Sequence, residues 1–372
     1  MDFTLPATAA SLRETADAFV ERALLPHAHL LPPAEGPLPP AVVRACAAER
    51  RATGLWGLTV PAGVGGPGLS SVERAVVQER LHRSLLGLWP QGLFSLGEPP
   101  TPLYGAQGPQ RAQYLEPCLD GRRQAHQWVA TPEGPRASPT PGGVRLQGTA
   151  LAVPAFLAQD LLIVVAQLQG QACGFLCEPG LPGYGVVRRR PGMGSVELVD
   201  LAFEDCRLEA DRLLPDAGPA AERWRADLRA TVLGAGAIGA AERCLEMGLQ
   251  HIRARETFGR PLADRQAIQW MLADSARELH AARLLVYRAA SLADLGEAAE
   301  AARLAGPAKA LATAAACRVV DRVIQMHGGY GYSRDLPLER FWRDLRFYRL
   351  AEGTEAALCA DGAAALVADL DR

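Results

Sequence analysis

Lysine is almost missing from this chain. Of 39 basic residues only Lys309 is a lysine; the rest are arginine. So uniform a choice reads as a compositional bias of the genome, and a local run such as Arg188, Arg189 and Arg190 carries little weight as a binding patch. An excess of either charge is missing too. The basic residues face 41 acidic ones, for a net charge of -2. No global positive field exists to hold nucleic acid or an anionic membrane surface. The eight cysteines include no CxxC pair, and Cys173 and Cys177 have no nearby His or Cys to complete a zinc site. A reduced, cytoplasmic protein is the expectation. The seven histidines form no HExxH, so hydrolytic metal chemistry has no support. No apolar run approaches the roughly 20 residues that cross a bilayer. The first residues, MDFTLPATAASLRETADAF, lack the basic start and apolar core of a secretory signal.

What is present is a chain of 372 residues, 49% hydrophobic and 22% charged. That fits a globular protein of two or three domains. Residues 1–122 read as mostly helical. Ser11 and Glu14 have capping-box spacing, and Pro26 closes the segment. GLTVPAGVGGPGLS (57–70) is a Gly/Pro loop, followed by SVERAVVQERLHRSLLGL at helical spacing. Residues 123–218 are β-rich. DLLIVVAQLQGQACGFLCEP is a short apolar run broken by Gly and Pro. In VELVDLAFEDCRL, Val199, Leu201 and Phe203 alternate with polar or small residues, as in a half-buried strand. Residues 219–372 return to helical periodicity, with Ile238, Leu245, Leu249 and Ile252 in one series and Ile268, Leu272, Leu279 and Val286 in another. Pro307 suits a helix first turn and Gly328 a helix end.

GAGAIG (234–239) matches the dinucleotide fingerprint GxGxxG, which requires a strand before it and a helix after it. Here it lies inside one helical pattern running from about Trp224 to Arg253, so the glycines read as points of close helix approach. A nicotinamide enzyme built on this stretch is disfavoured. Three C-terminal segments carry more chemistry together than apart. RETFGRPLADRQAIQ (255–269) is by itself a helix-helix connection. QMHGGYGYSRDLPLERFWRDLR (325–346) has paired glycines that let backbone approach a ligand. AEGT (351–354) holds Glu352, which alone reads as a carboxylate at the start of the last helix.

In order and spacing these segments resemble the acyl-CoA dehydrogenase family over nearly the whole chain. The family's Arg-x-Thr/Gln-Phe-Gly appears as Arg255, Thr257, Phe258 and Gly259, with Gln266 following. Its Gln-x-x-Gly-Gly-x-Gly-Phe/Tyr appears as Gln325, Gly328, Gly329, Gly331 and Tyr332, then Arg343 and Asp344, then Glu-Gly-Thr at Glu352, Gly353 and Thr354. Upstream, residues 57–70 resemble the family's Val-Pro-Glu-x-x-Gly-Gly-x-Gly loop, and GAQGPQRAQYLEPCLDGR resembles its Gly-x-x-x-Gln-Lys-x-x-x-Leu stretch. The resemblance implies an α+β protein with an α-helical N-terminal domain, a middle β-barrel and a C-terminal four-helix bundle. It implies FAD as cofactor, contacted by Arg255, Thr257, Phe258, Gln266, Gln325, Gly328, Gly329 and Thr354. Arg255 would meet the pyrophosphate across a subunit boundary, which implies a homodimer or homotetramer.

The resemblance also explains the glutamate. Glu352 would be the base that takes the α-proton of an acyl-CoA while flavin N5 accepts the β-hydride, with burial raising the carboxyl pKa. Gly353 would let the loop approach the thioester. An Arg of the family's Gly-rich helix falls by register at Ala230, one position from Arg229, which joins Gly353 on the substrate side. Electrons would pass to an electron-transfer flavoprotein, in a role within fatty acid metabolism. The middle region departs from the pattern. TPEGPRASP (131–139) stands where the family has Thr-Glu-Pro-x-Ala-Gly-Ser-Asp, with Thr131 and Ser138 in place of the Thr and Ser. In TALAVPA (149–155) Ala152 replaces the aromatic residue that packs on the flavin ring, and Pro154 replaces the hydroxyl near N5. The adenine half of the FAD site reads as kept and the ring half as altered. That leaves open a divergent dehydrogenase, an oxidase or monooxygenase on the same fold, and a non-catalytic partner subunit.

Overall fold

The computed structural model describes residues 4–30, 39–88, 99–131, 133–158, 160–194, 196–215 and 217–370. Helix α1 (Ala7–Phe19) runs on through a π-helical turn, Val20–Leu24, and a 3-10 turn, Leu25–Leu30. Then come α2 (Pro40–Ala52), α3 (Ser71–Leu81), and the short α4 (Gly108–Gln110) and α5 (Glu116–Leu119). Among the described residues, eight strands follow: β1 (Ala125–Val129), β2 (Arg136–Thr140), β3 (Gly143–Pro154), β4 (Leu161–Leu168), β5 (Gln171–Cys177), β6 (Tyr184–Arg190), β7 (Leu198–Glu209) and β8 (Leu213–Leu214). Helix α6 (Ala217–Asp227) continues through a π-helical segment, Leu228–Gly234, into α7 (Ala235–Ala254). A two-residue hairpin, β9 (Glu256–Thr257) and β10 (Arg260–Pro261), precedes α8 (Gln266–Asp294), α9 (Ala298–His327), α10 (Leu338–Tyr348) and α11 (Glu355–Leu370). Among the described residues no helix is long and apolar enough to cross a membrane.

The chain folds into two compact units. One comprises residues 1–55, 70–93 and 226–372, and the other residues 56–69 and 94–225. In the first, α9 is the central helix; α7, α8, α10 and α11 all pack on it, and α3 packs on α7 and α8. Its core is unusually rich in alanine: Ala75, Ala230, Ala235, Ala282, Ala289, Ala305, Ala308 and Ala312 surround Ile238 and Val286. Small side chains let helix axes come close, and the glycines of 234–239 extend that logic. A Cβ on Gly239 would lie 1.8 Å from the Glu79 carbonyl oxygen of α3. One on Gly236 would lie 2.4 Å from the His82 ring, and one on Gly234 2.9 Å from a Val286 methyl of α8. All three sit in a continuous helix, so the fingerprint is a packing seam, as its helical setting predicts.

The second unit holds two four-stranded sheets, ordered β1-β4-β5-β8 and β2-β3-β7-β6. Among the described residues all its pairings are antiparallel except β1 with β4. Leu162, Val164 and Phe175 from the first sheet share one core with Leu146, Val199, Leu201 and Phe203 from the second. The alternation read in residues 196–208 is this inward face. Leu161, Ile163 and Val165 of β4 point the other way, into a core with Leu103, Tyr114, Leu115 and Leu176. Strand β4 is buried on both faces, which is why LLIVVA is continuously apolar rather than alternating. The expected barrel is thus a pair of facing sheets that do not close on each other. Arg188–Arg190 lie on β6, a strand at the edge of its sheet, where Arg189 pairs with Glu197 and Arg190 with Asp200.

Two local readings are corrected. Ser11 lies inside α1, whose N-cap is Pro6, because the run Ala7–Ala10 extends the helix past the apparent capping box. The capping box that forms is Ser70–Glu73, at the start of α3: the Ser70 hydroxyl accepts the Glu73 N–H at 3.1 Å, and the Glu73 carboxylate accepts the Ser70 N–H at 2.9 Å. Pro307 is not in a first turn. It sits well inside α9, which begins nine residues earlier at Ala298. Packing on α9 from several helices offsets the backbone hydrogen bond that a proline removes.

Candidate active site

Glu352 sits on the turn between α10 and α11. Its φ is 55°, in the left-handed region that side chains rarely adopt, and Gly353 follows at 114°. Such a conformation for a glutamate persists only where its surroundings hold it. Here two side chains grip the turn through three hydrogen bonds to its carbonyl oxygens. Arg229 Nε donates to the Glu352 carbonyl at 2.8 Å. Lys309 Nζ donates to the Gly353 carbonyl at 2.7 Å and to the Arg349 carbonyl at 3.2 Å. Glu352 is half-buried. Gly353 is needed twice over: its φ is left-handed, and a Cβ there would lie 3.0 Å from Leu358 and 3.6 Å from Arg229 Nη2. Thr354 caps α11, its hydroxyl accepting the Ala357 N–H at 3.3 Å. Arg229, Glu352, Gly353 and Thr354, four of the candidates, therefore meet in one place.

The Arg255 segment forms a tight hairpin. Phe258 (φ 51°) and Gly259 (φ 73°) are its two turn residues, the double left-handed geometry of a two-residue β-turn. Phe258 is 97% exposed although apolar, with the Arg265 guanidinium 5.6 Å from its ring. Arg265 also donates to the Thr257 carbonyl, and Gln266 opens α8. The Gln325 segment ends α9. Gln325, Gly328 and Gly329 are exposed, and Gly328 turns the chain at φ 61°, ψ -141°, a conformation open to glycine alone. A Cβ on Gly328 or Gly329 would meet nothing within 4 Å, so the backbone here is bare. The two segments are neighbours because His251, four residues before Arg255, stacks on His327, one residue before Gly328, with ring centroids 4.2 Å apart. Bare backbone and a guanidinium are donor types suited to the phosphates of a dinucleotide.

Asp344 is fully buried and accepts from Arg340 at 3.0 Å, while Arg343 donates to Glu339 at 2.6 Å, so each half of the Arg-Asp motif serves a pair along α10. In the sheet unit, Thr131 is exposed on the turn before β2, and Ser138 is half-buried in β2 opposite Arg145. Ala152 falls on an irregularity of β3 at φ 54°, its N–H donated to Asp200 Oδ1 at 2.9 Å. Hydrogen bonds from Arg190 hold the Asp200 carboxyl below the ordinary range. No aromatic ring or hydroxyl is offered at Ala152 or Pro154.

Sequence reasoning missed Lys309 and the histidine pair. Lys309 reaches carbonyls 40 and 44 residues away, and His251 and His327 are far apart in the chain. The one signal available for Lys309 was its being the only lysine.

Two family models match the chain. Residues 6–122 match the acyl-CoA dehydrogenase N-terminal domain, and residues 218–367 match the acyl-CoA dehydrogenase C-terminal domain. The chain is 29% identical over 333 residues to an acryloyl-CoA reductase (NADH) of Anaerotignum propionicum, covering 81% of each chain. It is 36% identical over 183 residues, 48% of each chain, to a cyclohexane-1-carbonyl-CoA dehydrogenase of Geobacter metallireducens. A structure solved in work on the electron transferring flavoprotein of Acidaminococcus fermentans superposes with a TM-score of 0.84 at 27% identity, covering 98% of this chain and 99% of that one.

Proposed function

This chain belongs to the acyl-CoA dehydrogenase family, and from that premise we propose that it removes hydrogen across Cα–Cβ of an acyl-CoA thioester, with Glu352 taking the α-proton. It is an oxidoreductase of acyl-CoA thioesters, and FAD is its cofactor. Bound, FAD supplies the acceptor for the β-hydride. The observation that carries the reading is the mounting of Glu352: a carboxylate on a left-handed turn, gripped through its backbone by Arg229 and Lys309. A base must be held within hydrogen-bond reach of the proton it removes, and a turn fixed at three carbonyls provides that constraint. The N–H of Glu352 serves the developing enolate oxygen, while Gly353 and Arg229 line the thioester side.

Arg255, Thr257, Phe258, Gln266, Gln325, Gly328 and Gly329 hold the adenine and phosphate end of FAD. Thr131, Ser138 and Thr354 serve the remainder. The almost fully exposed Phe258 and Tyr332 support cover by a second copy, hence a homodimer or homotetramer. The electron acceptor is an electron-transfer flavoprotein, in keeping with the work from which the 27% identical structure comes. Eight free cysteines support a reducing, cytoplasmic setting, in fatty acid metabolism.

Ala152 and Pro154 favour a second reading, a family-fold partner subunit without the chemistry. An anaerobic absorption experiment separates the two. Flavin that stays with the purified protein and bleaches on addition of acyl-CoA supports the dehydrogenase. Flavin that no acyl-CoA bleaches supports the partner subunit.

A further inference from the structure

The only lysine in the chain is 1% exposed, on α9. A buried ammonium is costly and needs hydrogen-bond partners. Lys309 finds them in the two carbonyls that bracket the glutamate: Arg349, where α10 ends, and Gly353, directly after Glu352. The carbonyls at the end of a helix have no partner within it, and those of a left-handed turn have none in regular structure. We propose that Lys309 is a positioning residue for Glu352: by tying the Arg349 and Gly353 carbonyls to α9, it holds the turn that carries the carboxylate. The proposal rests on Glu352 being the base. The charges facing the amine are Arg229 from the π-helical segment, Arg349 and Glu352 from the turn, and Glu355 from α11. Burial, then Arg229, lowers the Lys309 pKa to about 7, with Glu352 acting to raise it. The lysine thus changes charge near neutrality, beside the base it holds.

Lys309→Met keeps the length and apolar stem and removes the donor. The flavin should remain bound. Amide hydrogen exchange across residues 350–354 should speed up. The first-order rate of flavin bleaching should fall about 10- to 100-fold with acyl-CoA affinity little changed, because a small misplacement of a catalytic group costs rate more than binding. The inflection near pH 7 in that rate should disappear. Bleaching at the unsubstituted rate with the same pH profile would overturn the proposal. Should the Met variant fail to hold flavin, the unsubstituted protein supplies a second test. Carbon-13 lysine labelling gives a single side-chain signal, from Lys309. Its titration midpoint should lie near 7 and move lower in Glu352→Gln, which removes the charge that raises it. A midpoint near the ordinary 10.5, unmoved by Glu352→Gln, would overturn the proposal. Failure of the functional reading looks different: no acyl-CoA bleaches the unsubstituted protein, while hydrogen exchange and the lysine signal still report whether the turn is tied down.

Discussion

His251 stacks on His327 with ring centroids 4.2 Å apart and planes inclined by 25°. Burial, His327 and Arg255, in that order, lower the His251 pKa below its ordinary 6.5. A histidine with a depressed folded pKa takes its proton more readily in the unfolded chain. Its contribution to stability is therefore present above about pH 6.5 and lost as the pH falls. Melting temperature and flavin retention should both decline from pH 7 to pH 5. His251→Phe keeps a ring in the stack and should lessen that decline, the remainder coming from His82 and His126, whose pKa values burial lowers to about 3 and about 4. An unchanged pH dependence in the variant would mean that other groups cause it.

Glu352→Gln should retain flavin and bind acyl-CoA but lose α-proton abstraction by about 10³-fold, within the range of a general base. Exchange of the substrate α-proton into deuterated water measures this directly. Activity at the unsubstituted level would remove Glu352 from the chemistry.

Gly239→Ala should destabilise the fold without touching any cofactor. Its Cβ would lie 1.8 Å from the Glu79 carbonyl oxygen, which is backbone and cannot swing aside. A cost of about 3 kcal/mol is expected for such overpacking, read as a lower melting temperature. A fingerprint that bound NADH would instead show lost NADH affinity with little change in melting.

Arg283 bridges two carboxylates, Glu79 at 3.1 Å and Glu242 at 2.5 Å, and Tyr287 donates to Glu79 at 3.1 Å. Glu79 is buried, and burial pushes its pKa up against the pull of Arg283. Arg283→Met leaves that carboxylate without its cation and should cost about 3–5 kcal/mol in denaturant unfolding. Adding Glu79→Gln should recover a large part of the loss. No recovery would show that the guanidinium matters for packing rather than charge.

Part of the candidate site's local backbone was legible because its motifs are local. Arg255 to Gln266 spells a connection between two helices, though not the hairpin within it, and Gln325 to Tyr332 spells a helix end with bare glycines. Each is a short-range backbone event that residue types declare. Strand β7 was legible from Val199, Leu201 and Phe203, since alternation follows from the geometry of a strand. Ser11 misled because a four-residue pattern recurs by chance within an alanine-rich helix. Pro307 misled because tertiary packing on α9 overrode a local penalty.

By itself the amino-acid sequence determined the helical and β-rich segments, the helix end at Gly328, and membership in a family. These depend on periodicity and on backbone conformations only certain residues tolerate. Only the tertiary structure decided that Lys309 and Arg229 hold the glutamate turn, that His251 meets His327, and that Gly239 lies against Glu79. Each of those contacts joins residues tens to more than a hundred positions apart. What makes them is the burial of helices around α9, which brings remote donors to carbonyls that would otherwise go unpaired.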